Sequence, residues 1–197
     1  MSVTDRVFDE GIERALRAAE RAHRGQTRKD SDGAPYVLHP IHCALTLARL
    51  GYDATLIQAA ILHDVVEDCD GWDGARVERE FGPRVAAIVL ELTEDKSNSW
   101  AERKRWQVEH VPHMSADACA VKAADKIHNL RTLVSQLEST PDRASVWARF
   151  HGGRERTLAT SRALVDALAP RVHPELAEGL RSAIAALERI ERAGHGG

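Results

Sequence analysis

Residues 59–68 read Ala59-Ala60-Ile61-Leu62-His63-Asp64-Val65-Val66-Glu67-Asp68. Four polar groups interrupt an apolar run at positions i, i+1, i+4 and i+5. A helix stacks i on i+4, so His63 is expected near Glu67 and Asp64 near Asp68. Three carboxylates buried together are costly unless protons or a cation neutralise them, and a divalent ion does so directly. The residues before this stretch favour the same geometry. Asp53 has the chemistry of an N-cap, and Ile57, Ala60, Ile61, Asp64, Val65 and Asp68 share the inner side of one helix opening there.

The helical period continues in both directions, and strand-like alternation is hard to find, so the predicted fold is all-α. Upstream, Phe8, Ile12, Leu16, Ala19 and His23 mark an amphipathic helix that stops at Gly25, and charged, glycine-bearing residues 26–35 form a loop. His39-Pro40 opens a helix that ends at Leu50-Gly51, with proline in the first turn, where it is tolerated. Downstream helices are expected at about 73–80, 83–93, 100–111, 116–137, 141–150, 154–168 and 174–192. Ser99-Trp100-Ala101-Glu102 has capping-box spacing, and Pro112 closes the helix behind it. With no repeat and no long linker, residues 1–193 read as one bundle of about ten helices, and 194–197 as a frayed tail.

Composition narrows the function. The formal net charge of the 197 residues is −3, and the basic residues are scattered, which argues against a nucleic-acid partner and leaves room for a small anionic ligand. Cys43, Cys69 and Cys119 lie far apart and outline neither a disulfide framework nor a C-x-x-C pair, as befits a reducing cytosol. No run approaches a membrane span, and the first residues lack the pattern of a secretory signal, so a cytoplasmic protein without membrane contact is expected.

Two more groups have the chemistry of the central stretch: His39, at a helix start, and Asp125, in Ala124-Asp125-Lys126-Ile127-His128-Asn129-Leu130-Arg131. Taken singly, each has a plain structural reading. His39 can cap a helix, Asp125 can pair with Lys122 or Lys126, and Arg28-Lys29 can be an exposed basic turn. Together, two imidazoles and two carboxylates make a mixed nitrogen and oxygen set, suited to manganese, iron or zinc, with positions left over for water and a phosphate oxygen.

These words occur in an ordered series: Ala22-His23-Arg24-Gly25-Gln26-Thr27-Arg28-Lys29, Pro35-Tyr36-Val37-Leu38-His39-Pro40, Leu62 to Asp68, Phe81-Gly82, Thr93-Glu94-Asp95-Lys96, Glu102-Arg103-Lys104-Arg105 and Ala124 to Arg131. From about residue 10 to 135 the chain resembles the HD-type hydrolase domain of RelA/SpoT proteins, and within that family the stand-alone Mesh-type small alarmone hydrolases. The resemblance implies His39, His63, Asp64 and Asp125 as ligands of one manganese ion. It implies Glu67 and Asp68 as the pair that positions and activates the attacking water. Arg28 and Lys29 match a loop that closes on the substrate, and Asn129, Arg131 and Thr132 match positions near its ribose and base.

The activity so implied is that of a guanosine-3′,5′-bis(diphosphate) 3′-pyrophosphohydrolase. A metal-activated water attacks the 3′-linked phosphorus of ppGpp or pppGpp and leaves GDP or GTP and pyrophosphate. The partner is a small nucleotide, no synthetase domain is expected, and the number of subunits stays open. One departure affects the base: Thr160 and Ser161 stand where bacterial members carry tyrosines, so purine stacking is expected to be weak unless Trp147 or Phe150 supplies it, and Ser161→Tyr is expected to restore part of it. Rival readings keep the site but change the substrate to ppApp or to the 2′-phosphate of NADPH, or keep the nucleotide in a regulator that has lost catalysis.

Overall fold

The computed structural model describes residues 8–28 and 33–193, so Lys29 and the tail at 194–197 lie outside the described residues. No strand occurs among the described residues, which pair in β fashion only at the isolated bridge between Thr27 and Pro35. The α-helices run in the order α1 (Glu10–Ala22), α2 (Leu38–Arg49), α3 (Ala54–Leu62), α4 (Val65–Asp68), α5 (Gly74–Phe81), α6 (Pro83–Leu92), α7 (Trp100–His110), α8 (Ala116–Ser139), α9 (Arg143–Trp147), α10 (Gly153–Leu168) and α11 (Pro174–Ala193). The expected all-α fold is the fold observed. Among the described residues no helix is long and apolar enough to cross a membrane.

The chain divides into two compact units. One runs up to Arg28 and resumes over Ala34–Thr93; the other contains Glu94 onward. In the first, α3 is the centre, and α1, α2 and α6 pack against it. Its residues Leu56, Ile57, Ala59, Ala60, Ile61 and Leu62 are all buried, as expected of a helix apolar on every side. Each fully buried leucine or isoleucine there contributes about 1.5–3 kcal/mol of transfer free energy. Asp53 caps α3 by accepting from Leu56 N, as its sequence position implies. Gly82 both ends α5 and caps α6 at φ 90°, a conformation glycine adopts without strain, and Pro83 opens α6.

In the second unit α8 is the spine and packs along α11. Leu130, Leu133 and Leu137 of α8 and Leu176, Leu180 and Leu187 of α11 are buried. The helices approach so closely at Gly179 that an added Cβ would lie 2.9 Å from Ile127 Cδ1. The capping box at Ser99 and Glu102 forms as expected. The element expected over 141–150 is shorter, because only Arg143–Trp147 are helical and Asp142 caps them.

The largest departure from the sequence reading falls inside the decisive stretch. One helix was expected from Asp53 through Asp68; α3 instead ends at Leu62, and α4 begins at Val65. His63 explains the break. Its Nδ1 lies 2.8 Å from Ala60 O, the carbonyl that a continuing helix would offer to Asp64 N. The α-type pairing resumes with Asp68 N donating to Asp64 O at 2.9 Å. His63 and Asp64 thus sit at a joint between two helices.

Candidate metal centre

The first unit brings four elements together around that joint. The first turn of α2 supplies His39, the end of α3 supplies His63, and Asp64 caps α4, which carries Glu67 and Asp68. The loop after α1 adds Arg28 and Tyr36. His39 and His63 are 2% and 5% exposed, and they offer ring nitrogens within 4.8 Å of each other. His39 Nε2 lies 3.7 Å from Asp64 Oδ2, and His63 Nε2 lies 3.2 Å from Asp64 Oδ1.

The donor inventory tests whether a cation suits this arrangement. With His63 Nδ1 committed as donor to Ala60 O, a neutral ring carries its lone pair on Nε2. That Nε2 is buried without a hydrogen-bond partner and faces a carboxylate oxygen, so two acceptors confront each other. A divalent ion relieves this for both imidazoles and the carboxylate at once, and the donor set of two nitrogens plus carboxylate oxygen is that of manganese, iron or zinc. The residues present fit a bound divalent ion.

Tyr36 and His23 are the residues that sequence reasoning did not single out. Tyr36 Oη donates to Asp64 Oδ2 at 2.7 Å and approaches Asp68 Oδ2 at 3.3 Å. Its ring lies 4.8 Å from that of His23, which is buried at the end of α1, with Nδ1 2.8 Å from Gln26 Oε1 and 3.3 Å from Cys69 Sγ. A signal was available: Tyr36 lies three residues before His39, and His23 and Gln26 stand in the quoted word Ala22 to Lys29. Arg28 places its guanidinium 5.8 Å from the centroid of the Tyr36 ring, which brings that loop cation to the cluster. Glu67 is half-buried on α4.

In the second unit, Asp125 stands at the middle of α8. Lys122 Nζ lies 3.7 Å from its Oδ2, and Asn129 Nδ2 donates to its Oδ1. The pairing with Lys122 foreseen as the plain reading therefore exists. Helical geometry sorts the remaining residues: Asn129 and Thr132 lie about 40° and 20° from Asp125 around the helix, whereas Arg131 is about 120° away. Arg131 accordingly donates to Ser182 Oγ of α11 at 2.8 Å.

Lys126 is strongly perturbed. Its Nζ donates to Ser161 Oγ at 2.9 Å, and burial, opposed by Asp125 and reinforced by Lys104 and Lys122, lowers it from the ordinary 10.5 to about 8. Ser161 is 2% exposed and so lies packed in the interior, while the hydroxyl of the partly exposed Thr160 donates back to Arg156 O at 2.8 Å. Of the other histidines near the motifs, His42 is exposed on α2 and His110 stacks on Trp106 at 4.4 Å.

Comparison with known proteins identifies the family. The HD domain family matches residues 15–155, and the chain belongs to that family. The chain is 52% identical over 118 residues to the guanosine-3′,5′-bis(diphosphate) 3′-pyrophosphohydrolase MESH1 of Danio rerio, covering 59% of this chain and 64% of the relative. It is 40% identical over 141 residues to the protein of the same name from Drosophila melanogaster, covering 68% and 78%. With the Danio rerio and Homo sapiens relatives, the match spans just under two thirds of their length. A solved structure described as a metazoan ortholog of SpoT that hydrolyzes ppGpp and plays a role in starvation responses superposes with a TM-score of 0.77 at 33% identity, covering 90% of this chain and 96% of that one.

Proposed function

We propose that this chain is a divalent-metal-dependent 3′-pyrophosphohydrolase of ppGpp and pppGpp, which yields GDP or GTP and pyrophosphate. The observation that carries the reading is the group of buried His39 and His63 around the half-buried Asp64, beside Asp68, in an HD-family chain whose relatives bear that enzyme name. His39, His63, Asp64 and Asp125 hold the ion, and manganese is the ion we assign. Asp125 enters through its sequence context, and Asn129 orients its carboxylate. When bound, the ion supplies Lewis acidity to water and to the phosphoryl group.

The residues around it do the rest. Glu67 and Asp68 orient a water toward the 3′-linked phosphorus and take its proton as it attacks. The phosphorus–oxygen bond to the ribose breaks, the water oxygen stays with pyrophosphate, and the ribose 3′-oxygen regains a proton. Arg28 and Lys29 offset the charge of the pyrophosphate. Asn129 and Thr132 share the helix face of Asp125 and meet the nucleoside; Arg131 joins them by releasing Ser182. The partner is a small nucleotide, and the compartment is the cytoplasm, in keeping with three cysteines that are free thiols.

The test is product analysis. The manganese-loaded protein is incubated separately with ppGpp, pppGpp, ppApp and NADPH, and the products are separated by ion exchange. Guanosine diphosphate or triphosphate with pyrophosphate is expected from the first two. Orthophosphate from NADPH, with both guanosine nucleotides left intact, overturns the assignment.

A further inference from the structure

We propose that Tyr36 is a positioning residue of this site: its single hydroxyl fixes the orientation of the Asp64 carboxylate and holds Asp68 beside it. The inference rests on the reading of His39, His63 and Asp64 as holders of a divalent ion. A phenol has one proton to give. Here that proton faces two carboxylates at 2.7 Å and 3.3 Å, one on the joint between α3 and α4 and the other one turn along α4. The shorter contact has the length of a charge-assisted bond.

The consequence for Asp64 is geometric. With Oδ2 held by the Tyr36 hydroxyl, its position 3.7 Å from His39 Nε2 is fixed, and Oδ1 is left facing His63 Nε2 at 3.2 Å. Rotation of the carboxylate about its last torsion, which is otherwise soft, would break the bond to Tyr36. The hydroxyl therefore decides which oxygen each imidazole sees.

Tyr36 is itself held on three sides. Its backbone N donates to Gln26 O at 3.0 Å, its ring lies against His23, and the ring of His39 meets it edge-on at 5.9 Å. The same Gln26 engages His23 Nδ1 through Oε1 and donates from Nε2 to Asp68 O at 3.0 Å. One side chain thus ties the ring that supports Tyr36 to the backbone of the carboxylate that Tyr36 addresses. A phenol that merely needed a partner would be satisfied by one carbonyl. This one reaches two of the four acidic residues that the proposed chemistry uses, Asp64 and Asp68.

The experiment compares wild type with Tyr36→Phe, which keeps the ring and its packing and removes only the hydroxyl. Manganese binding is measured by calorimetry on metal-free protein, kcat and KM are measured with ppGpp at saturating manganese, and the metal-free melt is recorded alongside. Partners that orient metal ligands are worth roughly 10–100-fold in metal affinity or activity, so the manganese Kd should rise by that factor, with kcat reduced and KM nearly unchanged. Gln26→Ala, which leaves the hydroxyl in place, should raise the Kd less.

Unchanged manganese affinity together with unchanged kcat in Tyr36→Phe overturns the inference. So does loss of a cooperative metal-free melt, which would assign the hydroxyl to the fold. A wild type that binds manganese but leaves ppGpp intact refutes the proposed substrate alone, and the calorimetry still decides on Tyr36. A wild type that binds no manganese refutes the metal centre and this inference with it.

Discussion

The α3–α4 joint and the middle of α8 both bring carboxylates into the protein, and they treat them in opposite ways. On α8, Asp125 is answered within its own helix by Lys122 one turn before and Asn129 one turn after. At the joint, Asp64 faces two buried imidazoles, one of which presents an orphaned Nε2 to it, and Tyr36 gives the carboxylate its hydrogen bond. The Lys122 and Asp125 side chains are only 13% and 14% exposed, so this carboxylate already meets a cation and an amide donor inside the protein. An acceptor facing an acceptor out of water costs on the order of 1–3 kcal/mol until something positive arrives. The difference teaches where the demand for an ion can be read directly from hydrogen bonding: at the joint, where His63 Nε2 is buried without a hydrogen-bond partner, whereas the ligand role proposed for Asp125 rests on its sequence context.

The sharpest way to break this contrast is Asp64→Asn. The amide keeps the shape but loses the charge, so manganese affinity should fall by more than roughly 100-fold, beyond the range for supporting partners, and ppGpp hydrolysis should fall below detection. Because a ligand that binds only the folded state stabilises it by mass action, the rise in thermal midpoint on adding manganese should vanish as well. Retained hydrolysis in a chelator-treated wild type would remove the ion from the account altogether. Glu67→Gln separates chemistry from binding within the same region. Manganese should still bind while kcat falls by roughly 10²–10⁴-fold, the range for a lost general base. If calorimetry finds that this variant has lost the ion, Glu67 is a ligand and the proposed division of roles fails.

The contrast also explains what could be read from residues alone. The caps at Asp53 and Ser99, the proline in the first turn of α2 and the buried α3 follow from local rules, and all were legible because the nearest few residues decide them. The break after Leu62 was not. It depends on His63 turning its Nδ1 onto Ala60 O, a choice between side chain and backbone that periodicity does not register. Tyr36 stands in the same motif as His39, but its role was not legible, since its partner Asp64 is 28 residues away and only packing brings the two together. Arg131 shows what a motif leaves open. It shares a motif with Asp125, yet helical rotation carries it round to Ser182.

The pH dependence of Lys126 sharpens the description of the second region. Its pKa is about 8 when folded and 10.5 ordinarily, so between those values the unfolded chain binds more protons. By linkage, stability rises with pH across that window and is lost again as pH falls through about 8. Urea melts of wild type and Lys126→Met from pH 7 to 10.5 should therefore show the wild type gaining on the variant, by at most about 3 kcal/mol at about 1.4 kcal/mol per pH unit. A difference that stays flat from pH 8 to 10.5 would show the ammonium to be as well solvated as in the unfolded chain.

The smallest effect concerns Ser161, which stands where bacterial members carry a tyrosine and where Ser161→Tyr is expected from the sequence to restore part of the stacking. The structure puts that side chain at 2% exposure, with its hydroxyl accepting from Lys126, so the position belongs to the packing between α8 and α10. Ser161→Ala removes one hydrogen bond to a charged donor and should cost about 1.5–3 kcal/mol at pH 7, and less at pH 9, where Lys126 is largely neutral. Ser161→Tyr must find room for a ring in a filled interior and should cost about 1–3 kcal/mol as overpacking, with no gain in nucleotide affinity. Denaturation midpoints, read beside the KM for ppGpp, separate the outcomes. A Ser161→Tyr protein with undiminished stability and a lower KM would mean that α10 opens at this position when nucleotide binds, and that Ser161 belongs to the nucleotide site rather than to the packing of the second region.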